Sequence, residues 1–284
     1  MTSHRSSLPP EAPPAIGLII IGDEILSGKR ADKHLPKFID LLAARGLQLA
    51  WADYVGDAPE RIAATLQRAF ASGDLVFSCG GIGATPDDHT RQCAAAALGV
   101  PVALHPEARQ RIRDRMIDMA REAGKEIDLE SPDNLHRLKM GEFPQGARII
   151  DNPYNKIPGF TIDGANGGAV HFVPGFPVMA WPMIAAVLDQ HYAHLFHRTA
   201  WFEQSVLVYE VAESTLTPLM EEIEAAYPHA KVFSLPSVGD AVTRRHIELG
   251  VKGEPEQAQA GLAHMLAALD AMGAEYVPTP NGGA

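Results

Sequence analysis

The chain has 284 residues, of which 46% are hydrophobic and 21% are charged, and this composition excludes an intrinsically disordered protein. Its length predicts about two domains. The formal net charge of −11, with no block of basic residues, argues against a non-specific nucleic-acid binder or an anionic-membrane binder and favours a small partner.

The N-terminus and the two cysteines indicate a compartment. Residues 1–14 are polar and rich in proline, which predicts a disordered arm rather than a signal peptide. Cys79 and Cys93 belong to no CxxC or Cys/His ligand pattern, so we expect buried thiols rather than a zinc site or a disulfide. No segment has the continuous apolar length of a membrane span. We therefore expect a cytoplasmic protein.

Three short apolar runs, at residues 15–22, 47–55 and 74–79, predict strands buried on both faces of a sheet. The segments between them, 33–45 and 59–71, have the apolar spacing of helices. Because crossovers are right-handed, this alternation predicts a three-layer α/β/α fold with a mostly parallel sheet. Ligands of such sheets bind at the carboxyl ends of the strands, so three segments are expected to meet there: Gly22-Asp23-Glu24, Val55-Gly56-Asp57 and Gly80-Gly81-Ile82-Gly83.

The remaining elements complete a first domain at residues 15–198 and predict a second, smaller α+β domain at 199–277. In the first domain we expect helices at 86–98, 106–123 and 178–195, and strands at 147–150 and 169–175. In the second, the pattern predicts a β-α-β-β-α order, with elements at residues 203–211, 214–226, 230–235, 243–251 and 255–272. Residues 278–284 are expected to form a tail, and we expect the frayed segment to include Val277 just before it.

The segment CGGIGATPDDHT, Cys79–Thr90, has two interpretations. In the first, Thr85 is the N-cap of a helix, Pro86 occupies its first position, and an aspartate completes a capping box. Helix capping explains the acids but not the three glycines, which destabilise the folded state because glycine loses more backbone entropy on folding than other residues do. In the second, the glycines bring backbone N–H groups close to a phosphate at the start of the helix. The strand-loop-helix context favours the phosphate site over a plain turn.

The carboxylates near this segment predict a divalent cation. Asp23 and Glu24 directly follow a buried strand, where unpaired charge is unfavourable, and Mg²⁺, Mn²⁺ or Co²⁺ would neutralise them while also binding the phosphate. Asp57, taken alone, also suits an N-cap. Among the 12 histidines, His34 and His89 are expected near the site and His171 in the core. The glycine spacing matches neither a P-loop nor a dinucleotide fingerprint, which disfavours an ATPase and a dehydrogenase.

Five ordered motifs resemble the molybdopterin-binding-domain superfamily. They are IGDEILSG (21–28), VGD (55–57), GGIGATPDDHT (80–90), PQGARIIDNP…IPGF (144–160) and VHFVPGFPVM (170–179). The likeness covers roughly residues 15–195 and is closest to the N-terminal part of competence/damage-inducible protein A and to the similar domain of eukaryotic FAD synthases. Residues 200–277 look like the small domain that follows in those proteins.

This resemblance implies a fold that binds a pterin phosphate such as molybdopterin, or a nucleotide diphosphate. It further implies metal-dependent hydrolysis of ADP-ribose-like or FAD-like pyrophosphates, with Asp57 and Asp88 as functional acids and Asp23 and Glu24 lining the site. We take Asp57 and Asp88 as candidate catalytic residues, and Asp23, Glu24 and Asp88 as candidate metal ligands. Candidate ligand-binding residues are Gly22, Ser27, Gly80, Gly81, Gly83, Thr85, Thr90, Pro174 and Gly175.

The chain departs from the family pattern in three places, two of which bear on substrate identity. Leu-Gly-Pro-Thr is here residues 82–85, Ile-Gly-Ala-Thr, which is a mild change. Asp-Thr-Asn is here Asp32-Lys33-His34, and a Gly-Thr-Ala-Pro-Gly turn is here residues 155–159, Asn-Lys-Ile-Pro-Gly. We expect no nicotinamide-mononucleotide deamidase activity, because the sequence contains no such domain. A non-catalytic binding protein is the alternative to an enzyme, and we expect a homo-oligomer in either case.

Overall fold

The computed structural model describes residues 14–198, 201–239 and 243–279. The chain divides into two compact units, and the boundary lies between Phe196 and His197. The expected disordered arm lies outside the described residues apart from Pro14, as do residues 280–284 of the expected tail. Within the described ranges, no helix is both long enough and apolar enough to cross a bilayer.

The first unit alternates short strands with helices, as the apolar pattern predicts. Its elements, in chain order, are β1 (Ile16–Ile21), α1 (Asp23–Leu26), α2 (His34–Ala43), β2 (Trp51–Val55), α3 (Pro59–Ser72), β3 (Leu75–Cys79), α4 (Thr90–Leu98), β4 (Val102–Leu104), α5 (Pro106–Glu122), α6 (Pro132–Leu138), β5 (Glu142–Pro144), β6 (Arg148–Ile150), β7 (Gly159–Asp163), β8 (Ala169–Val173) and α7 (Pro177–His191).

A six-stranded mixed sheet in the order β2-β1-β3-β8-β7-β6 forms the middle layer. The first four strands are parallel, whereas β7 runs antiparallel to β8 and β6 runs antiparallel to β7. The predicted mostly parallel α/β sheet is therefore confirmed, whereas the antiparallel strands at one edge were not predicted. Strand β7 lies between the strands predicted at 147–150 and 169–175, where no strand was predicted. Strands β4 and β5 pair with each other in a separate small sheet.

Two apolar layers hold the helices against this sheet. On one face, Ile19 and Val76 pack with Leu66 and Phe70 of α3 in a cluster that also includes residues of α4. On the other face, Ile20 packs in a cluster with residues of α2 and α7, among them Phe38 and Met183. Each fully buried aliphatic or aromatic side chain contributes about 1.5–3 kcal/mol. The sheet is therefore covered on both faces, which fixes its exposed carboxyl edge as the place for a site.

The second unit is a four-stranded antiparallel sheet, and two helices pack against it through a shared apolar core. Its elements are β9 (Phe202–Tyr209), α8 (Glu213–Ala226), β10 (Ala230–Ser237), β11 (His246–Gly253), α9 (Pro255–Ala271) and β12 (Tyr276–Pro278), and the strand order is β10-β11-β9-β12. This β-α-β-β-α-β order is the ferredoxin-like arrangement. The prediction was wrong about Val277 and Pro278, which form part of β12 rather than a frayed tail; three residues are too few to show a strand period.

Candidate functional site

The three segments that were expected to meet at the carboxyl edge of the sheet do so. A cavity of about 440 Å³, the first cavity, is lined there by the last residue of β1 and by the segments that follow β1, β2, β3 and β8. Of the predicted site residues, it brings together Gly22, Glu24, Asp57, Gly80, Gly81, Gly83, Thr85, Asp88, Pro174 and Gly175.

Residues 80–83, the glycine loop, begin with two glycines whose backbone conformations other residues adopt only with strain. Gly80 has φ 110°, and a Cβ there would lie 2.3 Å from the Ile21 carbonyl oxygen. Gly81 has φ 68°, and its Cβ would lie 2.1 Å from Thr90 Oγ1. Residues 81–84 line the first cavity, and their amide groups donate to no acceptor among the described residues. Consecutive free amides of this kind form a concave site for an anion.

The capping interpretation of Thr85–Asp88 is wrong, because helix α4 begins at Thr90 and not at Pro86. Thr90 is fully buried; its hydroxyl donates to the Gly80 carbonyl at 3.1 Å and its amide donates to the Gly81 carbonyl at 3.0 Å. These bonds dock the start of the helix beneath the glycine loop. Thr90 therefore positions the loop and does not line the cavity.

Residues 85–88 form a turn that Asp88 closes. One carboxylate oxygen of Asp88, Oδ2, accepts hydrogen bonds from the Thr85 amide at 2.8 Å and from the Thr85 hydroxyl at 2.6 Å. The Asp88 amide in turn donates to the Thr85 carbonyl at 3.0 Å. Gly83 leaves room for this carboxylate, since a Cβ there would lie 2.4 Å from Oδ2. Asp88 thus holds the wall of the cavity and leaves Oδ1 unpaired.

Asp23 and Asp57 bind each other's backbone across the ends of β1 and β2. Asp57 Oδ2 accepts from the Asp23 amide at 2.9 Å, and Asp23 Oδ1 accepts from the Asp57 amide at 3.1 Å. Burial raises the pKa of Asp57, and the nearby carboxylates of Asp23, Glu24 and Asp87 raise it further. Because like charges repel at this edge, it favours the approach of a cation or a proton.

The predicted metal ligands do not form a preassembled site. Asp23 and Ser27 lie in a separate depression beside the first cavity, which Glu24 and Asp57 also border. Asp88 lines the first cavity but not that depression. Among the residues that the structure describes, no three His, Cys, Asp or Glu side chains are grouped closely enough to hold a metal ion. An ion at this edge would need water or ligand oxygens to complete its coordination.

The far end of the first cavity is apolar, and the sequence did not identify it. Met140, Ile157 and Met179 line this end together with Asn152 and Asn155. Asn152 is buried and holds the turn: its amide donates to Asn155 Oδ1 at 2.8 Å and to the Ile157 carbonyl at 2.9 Å. The asparagine-rich turn is visible in the sequence, but the sequence does not show that this turn forms part of the wall of the first cavity.

A buried arginine supports the glycine loop from behind. Arg91 is only 3% exposed, and its guanidinium donates to the Gly83 and Lys139 carbonyl oxygens. Burial lowers the pKa of Arg91, while Asp88 and Glu142 oppose that shift. A cation beside the loop adds positive potential to the wall that carries the free amides. Sequence reasoning missed it because an arginine on a helix is ordinarily exposed.

The other assigned side chains occupy the positions that the sequence indicated. His171 is buried in β8, where its ring nitrogens pair with the Thr161 and Tyr192 hydroxyls at 2.8 Å each. Cys79 and Cys93 are both buried and free. His34 lies near the carboxyl edge, where its Nε2 donates to the Gly175 carbonyl at 2.9 Å.

These features define an α/β protein with a glycine-lined and acid-lined cleft at the carboxyl edge of a mainly parallel sheet. The chain belongs to the family described as "Probable molybdopterin binding domain", whose model matches residues 17–194. The resemblance inferred from the five motifs is therefore confirmed at the level of the family.

Individual relatives agree with this assignment. The chain is 34% identical over 163 residues to a CinA-like protein of Anaeromyxobacter sp. (strain K), covering 57% of this chain and 37% of that protein. It is 29% identical over 251 residues to a CinA-like protein of Mycobacterium tuberculosis (strain ATCC 25618 / H37Rv), covering 86% and 56% respectively. The crystal structure of the protein CinA with unknown function from Thermoplasma acidophilum aligns with a TM-score of 0.52 at 28% identity, covering 62% of this chain and 96% of that one. The chain thus spans about half or less of the length of these curated relatives.

Proposed function

We propose that the first cavity binds the phosphate of a nucleotide or pterin, and that the protein hydrolyses nucleotide pyrophosphates of the ADP-ribose or FAD type with a divalent cation. The observation that carries this proposal is the row of four residues, 81–84, whose amides have no acceptor among the described residues and which line a cavity that also has apolar side chains in its wall. Amides at this edge suit phosphate oxygens, and the apolar end suits a heteroaromatic ring.

The carboxylates fit a divalent cation that arrives with the phosphate. Glu24 and Asp88 supply the hard oxygen donors that Mg²⁺, Mn²⁺ and Co²⁺ accept, and Mg²⁺ is commonly held by one or two carboxylates plus substrate phosphates. Such an ion, when bound, would polarise the phosphoryl oxygens. This explains how free amides and crowded acids can share one cavity: the amides face the phosphate and the acids face its metal.

Asp57 is the residue best placed to accept a proton from water. The Asp23 amide holds one of its carboxylate oxygens, which fixes the orientation of the group. Its pKa lies above the ordinary value because of burial and neighbouring acids, and a more basic carboxylate is a better general base near neutral pH. The glycine loop would hold the pyrophosphate while Asp57 orients the attacking water.

The test is release of mononucleotide from ADP-ribose, FAD, NAD and ADP-glucose in the presence of Mg²⁺, Mn²⁺ or Co²⁺. Asp57→Asn should reduce the rate at least about 100-fold, the lower range for general-base catalysis. Asp53→Asn is the matched control on the strand that precedes Asp57, because Asp53 forms an exposed ion pair with Arg68 and does not line the first cavity. Equal loss in both variants would exclude Asp57 as the general base, and no release by the parent protein would exclude this activity.

The second candidate is a binding protein that holds molybdopterin or a nucleotide without turnover. The lack of three grouped metal ligands in the described residues favours it, as does the Asn-Lys-Ile-Pro-Gly turn at residues 155–159 in place of the family's Gly-Thr-Ala-Pro-Gly turn. Saturable, phosphate-dependent binding without released product in the same assay would support this alternative over the hydrolase.

A further inference from the structure

A second cavity lies directly beside the first, on the other side of the Glu24–Arg30 ion pair. It has a volume of about 350 Å³ and shares Glu24, Arg30, Gly175 and Phe176 with the first cavity. The ion pair is long, at 3.7 Å, and both side chains are partly exposed, so it is a weak barrier. The two cavities therefore form one cleft with two compartments.

The two compartments have opposite charge. The first is lined by four acids, Glu24, Asp57, Asp87 and Asp88, and by one cation, Arg30. The second is lined by one acid, Glu24, and by two cations, Arg30 and Lys33. Lys33 forms no ion pair or hydrogen bond with the described residues. Its ammonium group is thus free to meet a ligand in the second compartment.

His34 gives the second compartment a buried acceptor. The ring is 5% exposed, and Nε2 must donate because its partner, the Gly175 carbonyl, can only accept. In the neutral ring Nδ1 is then an acceptor, and it lies buried without a partner in the part of the chain that the structure describes. Such an unpaired buried group in a native fold calls for an explanation, of which a bound ligand group is one.

We propose that the second compartment receives the distal half of a two-part pyrophosphate, and that Lys33 and His34 select a hydroxyl-bearing, uncharged or anionic sugar there. Lys33 would donate to oxygen atoms of this half, and Nδ1 of His34 would accept from a sugar hydroxyl. A cationic group such as a nicotinamide ring is disfavoured there, because the Lys33 ammonium repels it. This inference rests on the proposed function, since the first cavity must hold the other half.

The experiment measures calorimetric affinities with Mg²⁺ for AMP and for methylene-bridged, non-hydrolysable analogues of ADP-ribose and NAD. His34→Leu removes the Nδ1 acceptor together with the donor to the Gly175 carbonyl, and should weaken the ADP-ribose analogue about fivefold while leaving AMP unchanged. Lys33→Glu should shift the affinity ratio toward the NAD analogue by about tenfold or more. Lys37→Gln is the control, because Lys37 lies on the same helix over the Trp181 ring and lines neither compartment.

The outcomes separate this inference from the proposed function. If AMP binds the parent but both substitutions leave every affinity unchanged, the second compartment is not a subsite and the proposed function stands. If AMP and both analogues fail to bind the parent, both are overturned. Melting temperatures within about 2 °C of the parent would show that the variants are folded.

Discussion

The buried His171 should make folding of the first unit sensitive to acid. Both ring nitrogens pair with hydroxyl groups inside the fold, and the ring packs against Phe77 with centroids 4.8 Å apart. Burial lowers the pKa of His171 to about 3, with smaller contributions in the same direction from His191 and Arg148. In the unfolded chain the pKa returns to about 6.5.

The sign and size of the effect follow from these two values. Below pH 6.5 the unfolded chain binds a proton that the folded state does not accept until about pH 3, so stability is lost on acidification across this window. A pH of 5 lies about 1.5 units below the pKa of His171 in the unfolded chain. The free energy of unfolding is therefore about 2 kcal/mol lower at pH 5 than above pH 6.5. For a unit of this size, that corresponds to a fall in melting temperature of about 4–8 °C.

The assay is urea unfolding at pH 7 and pH 5 for the parent, His171→Gln and His194→Gln. His171→Gln removes the titrating group. The free energy of unfolding that this variant loses between pH 7 and pH 5 should therefore be about 2 kcal/mol smaller than the loss in the parent. His194 is exposed in the same region, and its replacement should leave the parent's pH dependence intact. If the parent and His171→Gln lose the same free energy, the argument from burial is wrong.

Three further predictions concern the site and the assembly. Asp88→Asn keeps an oxygen acceptor for Thr85, so it should cost at most about 1 kcal/mol of stability, yet weaken metal-dependent ligand binding about tenfold or more; a variant that binds like the parent would remove Asp88 from the metal site. Nucleotide diphosphates should bind only with a divalent ion present, and equal calorimetric affinity in EDTA would refute the metal bridge. We also propose a homo-oligomer, because the second unit adds no identified site of its own; light scattering that gives a mass near 30.6 kDa at micromolar concentration would contradict it.

Several site features could be predicted because they depend on local sequence. Continuous apolar runs identified β1 and β3, and parallel strands bring their carboxyl ends to one edge whatever the loops contain. The acids Glu24 and Asp57 directly follow such strands, so their approach to the glycine loop followed from the order of elements alone. The core position of His171 was predictable for the same reason, since it lies within an apolar strand.

Other features depended on contacts between distant parts of the chain. Residues 85–88 have good capping chemistry, but the bonds from Thr90 to Gly80 and Gly81 determine where α4 begins. Strand β12 is three residues long and exists because it pairs with β9, almost 70 residues earlier.

The sequence by itself therefore determined the fold class, the order of the main elements and the edge at which the acids and glycines meet. Only the tertiary structure decided the antiparallel edge of the sheet, the burial of Arg91 behind the loop and the second compartment beside His34. The physical reason is that periodicity reports whether a residue is buried, whereas strand direction, helix start and cavity shape depend on which distant surfaces pack together.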